Sequence, residues 1–282
     1  MYRPKKQFGQ HFLNNVEILH KIVEFAELKD NDIVWEIGPG FGNLTDLLLT
    51  NNIYLTIFEI DNDLIPVLQE KYNRYSPRKE QPSHRNQSDS FSKCEIIHGD
   101  FIKLIDKYIR GKSSQDLREI KIVTNLPYQI SSPFLFKITE NHEIFSSVVV
   151  MLQDEVARRV CGAAGTKEYG VLSLKIQYYF DVTYLFKVNR DNFSPPPKVE
   201  SAVIKLIPRA DKPAIENIDF FWKIIEKCFS QKRKTLRNNL RNMIENIIDT
   251  RDCPIDLNRR GETLNEEEFI SLYSYICKFI NS

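Results

Sequence analysis

Several features that identify common classes of protein are missing from this sequence. Its five cysteines are scattered and include no Cys-x-x-Cys pair, which argues against a disulfide framework and against a zinc site. No stretch approaches the roughly 20 apolar residues of a membrane span, and the basic N-terminus does not lead into an apolar stretch. These absences predict a soluble, cytoplasmic protein with no membrane partner.

Neither the overall charge nor the histidines indicate a partner. The 39 Lys and Arg residues nearly cancel the 38 Asp and Glu residues, so total charge predicts no polyanionic ligand. The five histidines show no metal-ligand spacing, and we therefore expect no metal. Local basic clusters remain at Arg3, Lys5 and Lys6 and at 232–241, and these are candidate phosphate-binding surfaces.

What the sequence does contain is a series of short apolar runs rich in β-branched residues, with helical patterns between them. This alternation is typical of an α/β fold with a parallel, doubly wound sheet. The runs lie at 33–37, 54–58, 95–98, 120–124 and 147–152. Two further strands are predicted at 182–188 and 199–207, as a hairpin-like pair at one sheet edge, because prolines between them interrupt any continuous ladder.

The length of 282 residues is sufficient for two domains. Strand patterns end near Ala210, and apolar residues then recur with a period near 3.6. This change predicts a sheet domain over 1–209 and a helical domain over 210–282. The segment between Lys71 and Lys93 is polar, with almost nothing apolar to bury, and we expect a mobile surface insertion there.

A glycine-rich turn follows the first of the predicted strands. Gly38, Gly40 and Gly42 would let the backbone approach a ligand closely, since glycine has no Cβ and tolerates positive φ. A dinucleotide fingerprint would place its third glycine one position later, where this chain has Asn43. The spacing therefore disfavours a nicotinamide oxidoreductase. A tight turn without any ligand is the alternative.

Two acidic residues follow later strands of the series. Glu59 is expected at the carboxyl edge of the sheet, where its carboxylate can accept hydrogen bonds from both hydroxyls of a ribose. Asp61 is expected to be solvated. Asp100 follows the third strand and can accept a hydrogen bond from an adenine amino group; its alternative role is to cap a helix that begins at Phe101. Together these residues favour a nucleoside ligand.

The most informative segment is Asn125-Leu126-Pro127-Tyr128, directly after the fourth strand. Proline fixes its own φ and biases Leu126 away from the helical region, so the Asn125 side-chain oxygen and a neighbouring carbonyl can converge on one point. Two acceptors there would hold an exocyclic amino group and direct its nitrogen lone pair at an electrophilic methyl, by positioning and without a strong base. Tyr128 would stack on an extruded base. The alternative is an ordinary turn with a surface tyrosine.

Two further features each allow two interpretations. Phe193, which precedes the proline run, can cover the other face of the base or close the sheet edge. A basic helix is predicted over 231–241, and its charge indicates either a solvated face or, as we favour, contact with RNA phosphates. The cations concerned are Lys232, Arg233, Lys234, Arg237 and Arg241.

With these residues identified, the chain strongly resembles the small-subunit ribosomal RNA adenine N6,N6-dimethyltransferase family over nearly its whole length. The order of the matching segments makes the resemblance specific. They are residues 6–13 (KQFGQHFL), 36–42 (EIGPGFG), 59–61 (EID), 99–100 (GD), 125–131 (NLPYQIS), 153–158 (QDEVAR), 169–170 (YG), 193–202 (FSPPPKVESA) and 229–237 (FSQKRKTLR). His11 and Gln129 depart from the family pattern, since many relatives carry Asn at both positions.

The resemblance implies a class I, Rossmann-like methyltransferase with a mostly parallel seven-stranded sheet and a small C-terminal helical domain. It implies S-adenosylmethionine as methyl donor, and two adjacent adenosines near the 3′ end of the 16S ribosomal RNA, in the small ribosomal subunit, as acceptors. A monomer is expected. The donor-binding residues implied by the resemblance are His11, Leu13, Gly38, Gly40, Glu59, Ile60, Asp100, Phe101 and Asn125.

Two rival functions remain open at this point. One is a ribosome-assembly checkpoint factor that binds immature small subunits. The other is a 23S ribosomal RNA adenine methyltransferase of the antibiotic-resistance type, but that group usually has Asn-Ile-Pro-Tyr and lacks a segment like 229–237. Leu126 and the basic segment therefore favour the small-subunit enzyme.

Overall fold

A computed structural model of the chain describes residues 5, 9–75, 93–111, 119–244 and 252–280. Nine strands lie within these ranges: β1 (Phe12–Leu13), β2 (Ile33–Ile37), β3 (Tyr54–Glu59), β4 (Lys93–His98), β5 (Ile120–Asn125), β6 (Phe145–Gln153), β7 (Phe180–Val188), β8 (Phe193–Ser194) and β9 (Ser201–Pro208). Seven of these strands form one sheet in the order β4-β3-β2-β5-β6-β9-β7, while β1 pairs with β8 in a separate antiparallel ladder.

The strands at the centre of the sheet are parallel. Parallel ladders join β4 to β3, β3 to β2, β2 to β5 and β5 to β6, and an antiparallel ladder joins β6 to β9. β6 is buried along almost its whole length, as expected of a strand in a sheet covered by helices on both faces. The predicted mostly parallel sheet of seven strands is therefore confirmed.

Helices follow the strands along the chain. The first six are α1 (Val16–Phe25), α2 (Asn43–Leu48), α3 (Ile65–Tyr72), α4 (Phe101–Arg110), α5 (Ser131–Glu140) and α6 (Asp154–Val160). α1 begins after Asn15, whose side chain accepts a hydrogen bond from the Ile18 backbone N–H at 3.2 Å. Its apolar face buries Leu19 and Ile22, which attaches the helix to the core of the sheet domain.

The strand order reverses between β2 and β5. The chain moves outward from β2 to β4 and then returns to place β5 on the other side of β2, which creates a crevice at the carboxyl ends of these two strands. The buried Thr124 hydroxyl donates a hydrogen bond to the Ile37 carbonyl at 2.7 Å and ties the two strand ends together. Residues that follow β2 and β5 therefore begin their loops from fixed positions.

The chain divides into two compact units. The first runs to Ala157 and includes Val182–Pro208, and the second combines Arg158–Asp181 with the residues from Arg209 onward. Residues 158–181, which sequence analysis assigned to the first domain, thus fall in the second. The reason is packing: α7 (Val171–Tyr179) buries Leu174 and Tyr178 in one core with α8 (Ile218–Phe229).

The basic segment of the second unit is not the single helix that its composition predicts. α8 ends at Phe229, a turn follows, and two short helices come next: α9 (Leu236–Asn239) and α10 (Arg241–Ile244). The Asn239 side chain donates hydrogen bonds to the carbonyls of Cys228, at 2.7 Å, and Gln231, at 3.2 Å. These bonds hold the turn closed, so a continuous helix cannot pass through it. The last helix of this unit is α11 (Glu266–Ile280).

Parts of two predictions lie outside the described residues. The surface insertion expected between Lys71 and Lys93 falls mainly on 76–92, and Arg3 and Lys6 of the N-terminal cluster are likewise not described. Among the helices that the structure does describe, none has the length and apolar character needed to cross a membrane.

Candidate active site

A cavity of about 270 Å³ lies at the carboxyl ends of β2, β3, β4 and β5, in the first unit. Its walls contain the residues that follow these strands, together with part of the N-terminal segment. Of the residues predicted for donor and acceptor binding, those that line the cavity are His11, Leu13, Gly38, Gly40, Glu59, Ile60, Asp100, Phe101, Asn125, Leu126, Pro127 and Tyr128. Segments up to 117 residues apart in the chain, from His11 to Tyr128, thus converge where the fold predicts a ligand.

Gly38 and Gly40 of the glycine turn line this cavity, and the turn has no room for side chains. Gly38 and Gly42 have φ values of +69° and +82°, a region that other residues rarely adopt. A Cβ on Gly42 would lie 2.0 Å from the Tyr72 hydroxyl, and a Cβ on Gly38 would lie 3.0 Å from the Pro127 ring. The turn is therefore packed against both α3 and the loop that follows β5.

Glu59 lies at the end of β3 and is only 3% exposed. Its Oε1 atom accepts a hydrogen bond from the Asp61 backbone N–H at 2.7 Å. Burial raises the pKa of Glu59, while the N–H groups of Asp61 and Gly40 act in the opposite direction by stabilising the carboxylate. The side chain is thus held at the cavity with a fixed orientation, as a ribose ligand would need.

Asp61 is fully buried, so the prediction that it is solvated is wrong. Its carboxylate accepts hydrogen bonds from the Lys5 ammonium at 2.5 Å, the Gln10 side-chain amide at 2.9 Å and the Asp63 N–H at 3.0 Å. Local sequence could not reveal this arrangement, because Lys5 lies 56 positions away.

Asp100 fulfils the alternative role predicted for it and also lines the cavity. Its Oδ1 atom accepts a hydrogen bond from the Ile102 backbone N–H at 3.0 Å, which caps α4. Oδ2 lies 3.8 Å from the Lys103 ammonium, whose side chain is 81% exposed. One carboxylate oxygen therefore caps the helix, and the other has, among the described residues, only a distant and solvent-screened ion-pair partner.

Glu36 is a buried acid of the cavity wall that sequence analysis did not single out as a site residue. It is 2% exposed, and its Oε2 atom accepts a hydrogen bond from the Thr45 hydroxyl at 2.7 Å. Burial raises the pKa of Glu36 to about 8, although the Thr45 hydrogen bond opposes the shift. An acid directly before a glycine turn, within an apolar strand, was the signal that could have identified it.

Asn125 and Leu126 present two acceptor oxygens that have no hydrogen-bond partner among the residues that the structure describes. Asn125 ends β5, and its side chain makes no hydrogen bond within the described part of the chain. The Leu126 N–H donates to the Met151 carbonyl at 3.1 Å, which fixes the backbone, but no described group donates to the Leu126 carbonyl. The next carbonyl, of Pro127, accepts from the Ile130 N–H. The open pair is therefore the Asn125 side chain and the Leu126 carbonyl.

Tyr128 is half-buried at the cavity, and its position is fixed from two sides. Its hydroxyl lies 2.5 Å from the Ser201 hydroxyl, at the start of β9. The ring centroid lies 5.8 Å from that of His11, with the planes tilted by 30°. Burial raises the pKa of Tyr128, so the phenol stays neutral at physiological pH. The ring is held by its hydroxyl and not by a close-packed core.

Phe193 is 4% exposed, belongs to the buried core, and is not one of the residues that line the cavity. It pairs with Leu13 between β8 and β1. This ladder is separate from the seven-stranded sheet, so the arrangement tests neither of the two roles predicted for Phe193.

The N-terminal segment 9–13 forms one wall of the cavity. The His11 ring nitrogen Nδ1 lies 2.7 Å from the Pro195 carbonyl, and the Leu13 carbonyl accepts a hydrogen bond from the Asn43 side chain at 2.9 Å. No composition or periodicity signal indicates a role for this segment, whereas the family resemblance assigns His11 and Leu13 to the donor site. The structure brings both to the cavity.

The comparison with protein families agrees with this geometry. A model of the family described as ribosomal RNA adenine dimethylase matches residues 1–278. The chain belongs to this family. It is therefore a methyltransferase, as the resemblance predicted.

Individual proteins that are similar to this dimethylase family member also carry the names of RNA methyltransferases. It is 37% identical over 275 residues to ribosomal RNA small subunit methyltransferase A of Francisella tularensis subspecies novicida, with 97% of this chain and 98% of that protein covered. A solved dimethyladenosine transferase from Plasmodium falciparum is similar with a TM-score of 0.72, at 28% identity, with 95% and 98% of the two chains covered. The solved 23S rRNA methyltransferase ErmE, at 23% identity and a TM-score of 0.61 over 94% and 99%, supports the fold alone.

In the second unit of this dimethylase, the predicted RNA-binding cations Lys232, Arg233, Lys234 and Arg237 are all exposed. The first three lie in the turn after α8, and no ion pair with described residues involves them. Backbone hydrogen bonds from Leu236 and Arg237 to the carbonyls of Arg259 and Leu257, both at 2.8 Å, hold the turn in place. Within the described residues, no group of three His, Cys, Asp or Glu side chains is placed to hold a metal ion.

Proposed function

We propose that this enzyme transfers methyl groups from S-adenosylmethionine to N6 of two adjacent adenosines near the 3′ end of the 16S ribosomal RNA. The observation that carries the proposal is the open pair of acceptor oxygens on Asn125 and Leu126, at the same cavity as Glu59. The Francisella relative bears the name of a small-subunit methyltransferase, which supports the choice of subunit. The cytoplasm is the corresponding compartment.

The cavity fits a donor that combines a nucleoside with a cationic amino-acid end. Glu59 would accept the two ribose hydroxyls, and the Asp100 Oδ2 atom, which caps nothing, would accept the adenine amino group. Ile60, 42% exposed, and Phe101 offer apolar surface to the adenine ring. A cationic group of the donor near buried Glu36 would lower the raised pKa of this acid and favour its carboxylate form. When bound, the donor supplies an electrophilic methyl on a sulfonium.

On the acceptor side, the chain supplies position and not a base. The Asn125 side-chain oxygen and the Leu126 carbonyl would each accept one hydrogen of an adenine amino group. These bonds pull the nitrogen towards tetrahedral geometry and localise its lone pair, and positioning of this kind can be worth roughly 10⁵ M in effective concentration. Tyr128 would stack on the extruded base, contributing about 1–3 kcal/mol. For the second methylation, the one hydrogen left on the monomethylated amino group must still bond to the Asn125 side-chain oxygen or to the Leu126 carbonyl.

The turn that contains Lys232, Arg233 and Lys234 is proposed to contact RNA phosphates. Its cations have no described ion-pair partners, and the backbone that carries them is held by Asn239. Each cation that neutralises a phosphate adds about 0.9 or less to the slope of log affinity against log salt. The turn thus provides binding without reading sequence.

The decisive experiment maps the product. Small subunits that lack the modification and matched large subunits are incubated with the enzyme and isotope-labelled S-adenosylmethionine, and the RNA is digested and analysed by mass spectrometry. We expect two adjacent N6,N6-dimethyladenosines near the 3′ end of the 16S RNA and no label in the large subunit. Label confined to 23S RNA, or binding to small subunits with no label in any RNA, would contradict the proposal.

A further inference from the structure

Asp61 makes an unusual set of contacts for an acid that touches no predicted ligand. It is 0% exposed, and two of its donors come from the N-terminal segment: the Lys5 ammonium at 2.5 Å and the Gln10 amide at 2.9 Å. The Lys5 backbone N–H also donates to the Gln10 side-chain oxygen at 2.7 Å, so Lys5 and Gln10 bind Asp61 as one unit.

The opposite end of the same segment is fixed by different contacts. Leu13 and Phe12 pair with Phe193 and Ser194 between β1 and β8, and the Asn43 side chain donates to the Leu13 carbonyl. Residues 9–13, which line the cavity, are therefore attached at both ends. The attachment at Asp61 is ionic, and Asp61 is two residues after Glu59.

We propose that Asp61 and Lys5 form an ionic latch that holds segment 9–13 over the donor cavity, and that this latch determines how tightly and how long the methyl donor is bound. Asp61 is thus a positioning residue, since it acts through Lys5 and Gln10 and touches no reacting atom. The inference rests on the proposed function, because it assumes that the cavity holds the donor.

Electrostatics gives the latch a second effect on the donor site. Burial raises the pKa of Glu59, and the negative charge of Asp61 adds to this shift. The Lys5 ammonium contacts Asp61 directly, so losing it would leave the Asp61 charge uncompensated two residues from Glu59. Closing the segment and preparing the carboxylate are therefore linked.

Lys5→Met tests the latch with little risk to folding, because the Lys5 side chain is 30% exposed and methionine keeps most of its stem. Asp63→Asn is the matched control: Asp63 also contacts Lys5, at 2.7 Å, but its side chain is 62% exposed, where an ion pair has little energetic effect. Donor affinity is measured by calorimetry, donor exchange by stopped flow, and methylation at saturating donor.

For Lys5→Met we expect the donor Kd and the donor off-rate to rise roughly tenfold, since a buried carboxylate loses its cation. The maximal methylation rate at saturating donor should change less than about twofold. Lys5→Arg should restore most of the affinity, Asp63→Asn should resemble wild type, and Lys5→Met combined with Asp61→Asn should be no worse than the weaker-binding single variant.

An unchanged donor Kd in Lys5→Met would overturn the latch. So would a loss of methylation at saturating donor with normal donor binding, since Lys5 would then act on the RNA. Failure of the proposed function is distinguishable from both, because it appears in the wild-type protein, as label confined to 23S RNA or as no label in any RNA, and not as a difference between wild type and Lys5→Met.

Discussion

The donor side of the cavity and its acceptor corner differ in how their polar groups are satisfied. On the donor side, Glu36, Glu59 and Asp100 each accept at least one hydrogen bond from the protein itself. At the acceptor corner, the Asn125 side chain and the Leu126 carbonyl accept none from described residues. The donor side is thus oriented before any ligand arrives, whereas the corner keeps its acceptors available.

This difference follows from the number of hydrogen bonds that each group can accept. A carboxylate has about four acceptor positions, so after an internal hydrogen bond it still has positions left for a ligand. An amide or carbonyl oxygen has two at most, and a protein partner there would compete with the amino group. An acceptor corner of this kind must be oriented by its backbone, through Pro127 and the bond from the Leu126 N–H to Met151.

The largest effect that would sharpen this comparison concerns the charge of Glu36. Its folded pKa of about 8 lies above the unfolded value of 4.5, so the folded state binds more protons between these pH values and loses stability as pH rises through them. Glu36→Gln has no carboxyl group at this position, so its stability does not fall with pH for this reason. The free energy of unfolding of the variant, relative to that of wild type, should therefore rise from about pH 4.5 to about pH 8 and then level off, with a total rise on the order of 5 kcal/mol.

Chemical denaturation of both proteins between pH 5 and 9 measures this difference. Glu24→Gln, at an exposed position of α1, is the matched control and should follow wild type at every pH. A flat difference between Glu36→Gln and wild type would show that Glu36 is already ionised at low pH.

Glu59→Gln should have the next largest effect, on donor binding. The neutral amide would lose two charge-assisted hydrogen bonds to the ribose hydroxyls, each worth about 1.5–3 kcal/mol. Its NH2 group would also face either the Asp61 N–H, which is itself a donor, or the ligand. We expect the donor Kd to rise about 100-fold, as measured by calorimetry. An unchanged Kd would remove Glu59 from the donor side.

The smallest effect concerns the hydroxyl that holds Tyr128. Tyr128→Phe and Ser201→Ala each break the same hydrogen bond, and each should lower kcat/KM for RNA about fivefold, or about 1 kcal/mol. The double variant should be no worse than either single one, while Ser271→Ala, at an exposed serine of α11, should have no effect. Additive losses in steady-state methylation assays would mean that the two residues act separately.

Sequence patterns predicted the sheet well because each strand carries its own signal. β2 (Ile33–Ile37) was predicted with its observed limits, and β5 and β6 to within two residues at each end. The positions of Gly38, Glu59 and Asn125 at one cavity then followed from topology, since the carboxyl ends of parallel strands share one edge.

What sequence could not predict depends on partners distant in the chain. Asp61 has the composition of a surface turn and is buried only because Lys5 and Gln10 reach it. The basic segment has the period of a helix, but the Asn239 side chain holds a turn there that the periodicity does not predict. The position of Phe193 could not be predicted without its partner Leu13. Leu13 lies in β1, a strand of two residues that no sequence pattern indicates.

Asn125→Ala tests the central distinction between donor side and acceptor corner most directly. Donor affinity by calorimetry and methylation of small-subunit RNA are measured on the same preparation, with Asn141→Ala, at the far end of α5, as control. We predict that methylation falls about 100-fold or more while the donor Kd changes less than about tenfold, and that the control matches wild type. Full methylation by Asn125→Ala, or a loss explained entirely by weaker donor binding, would contradict the account.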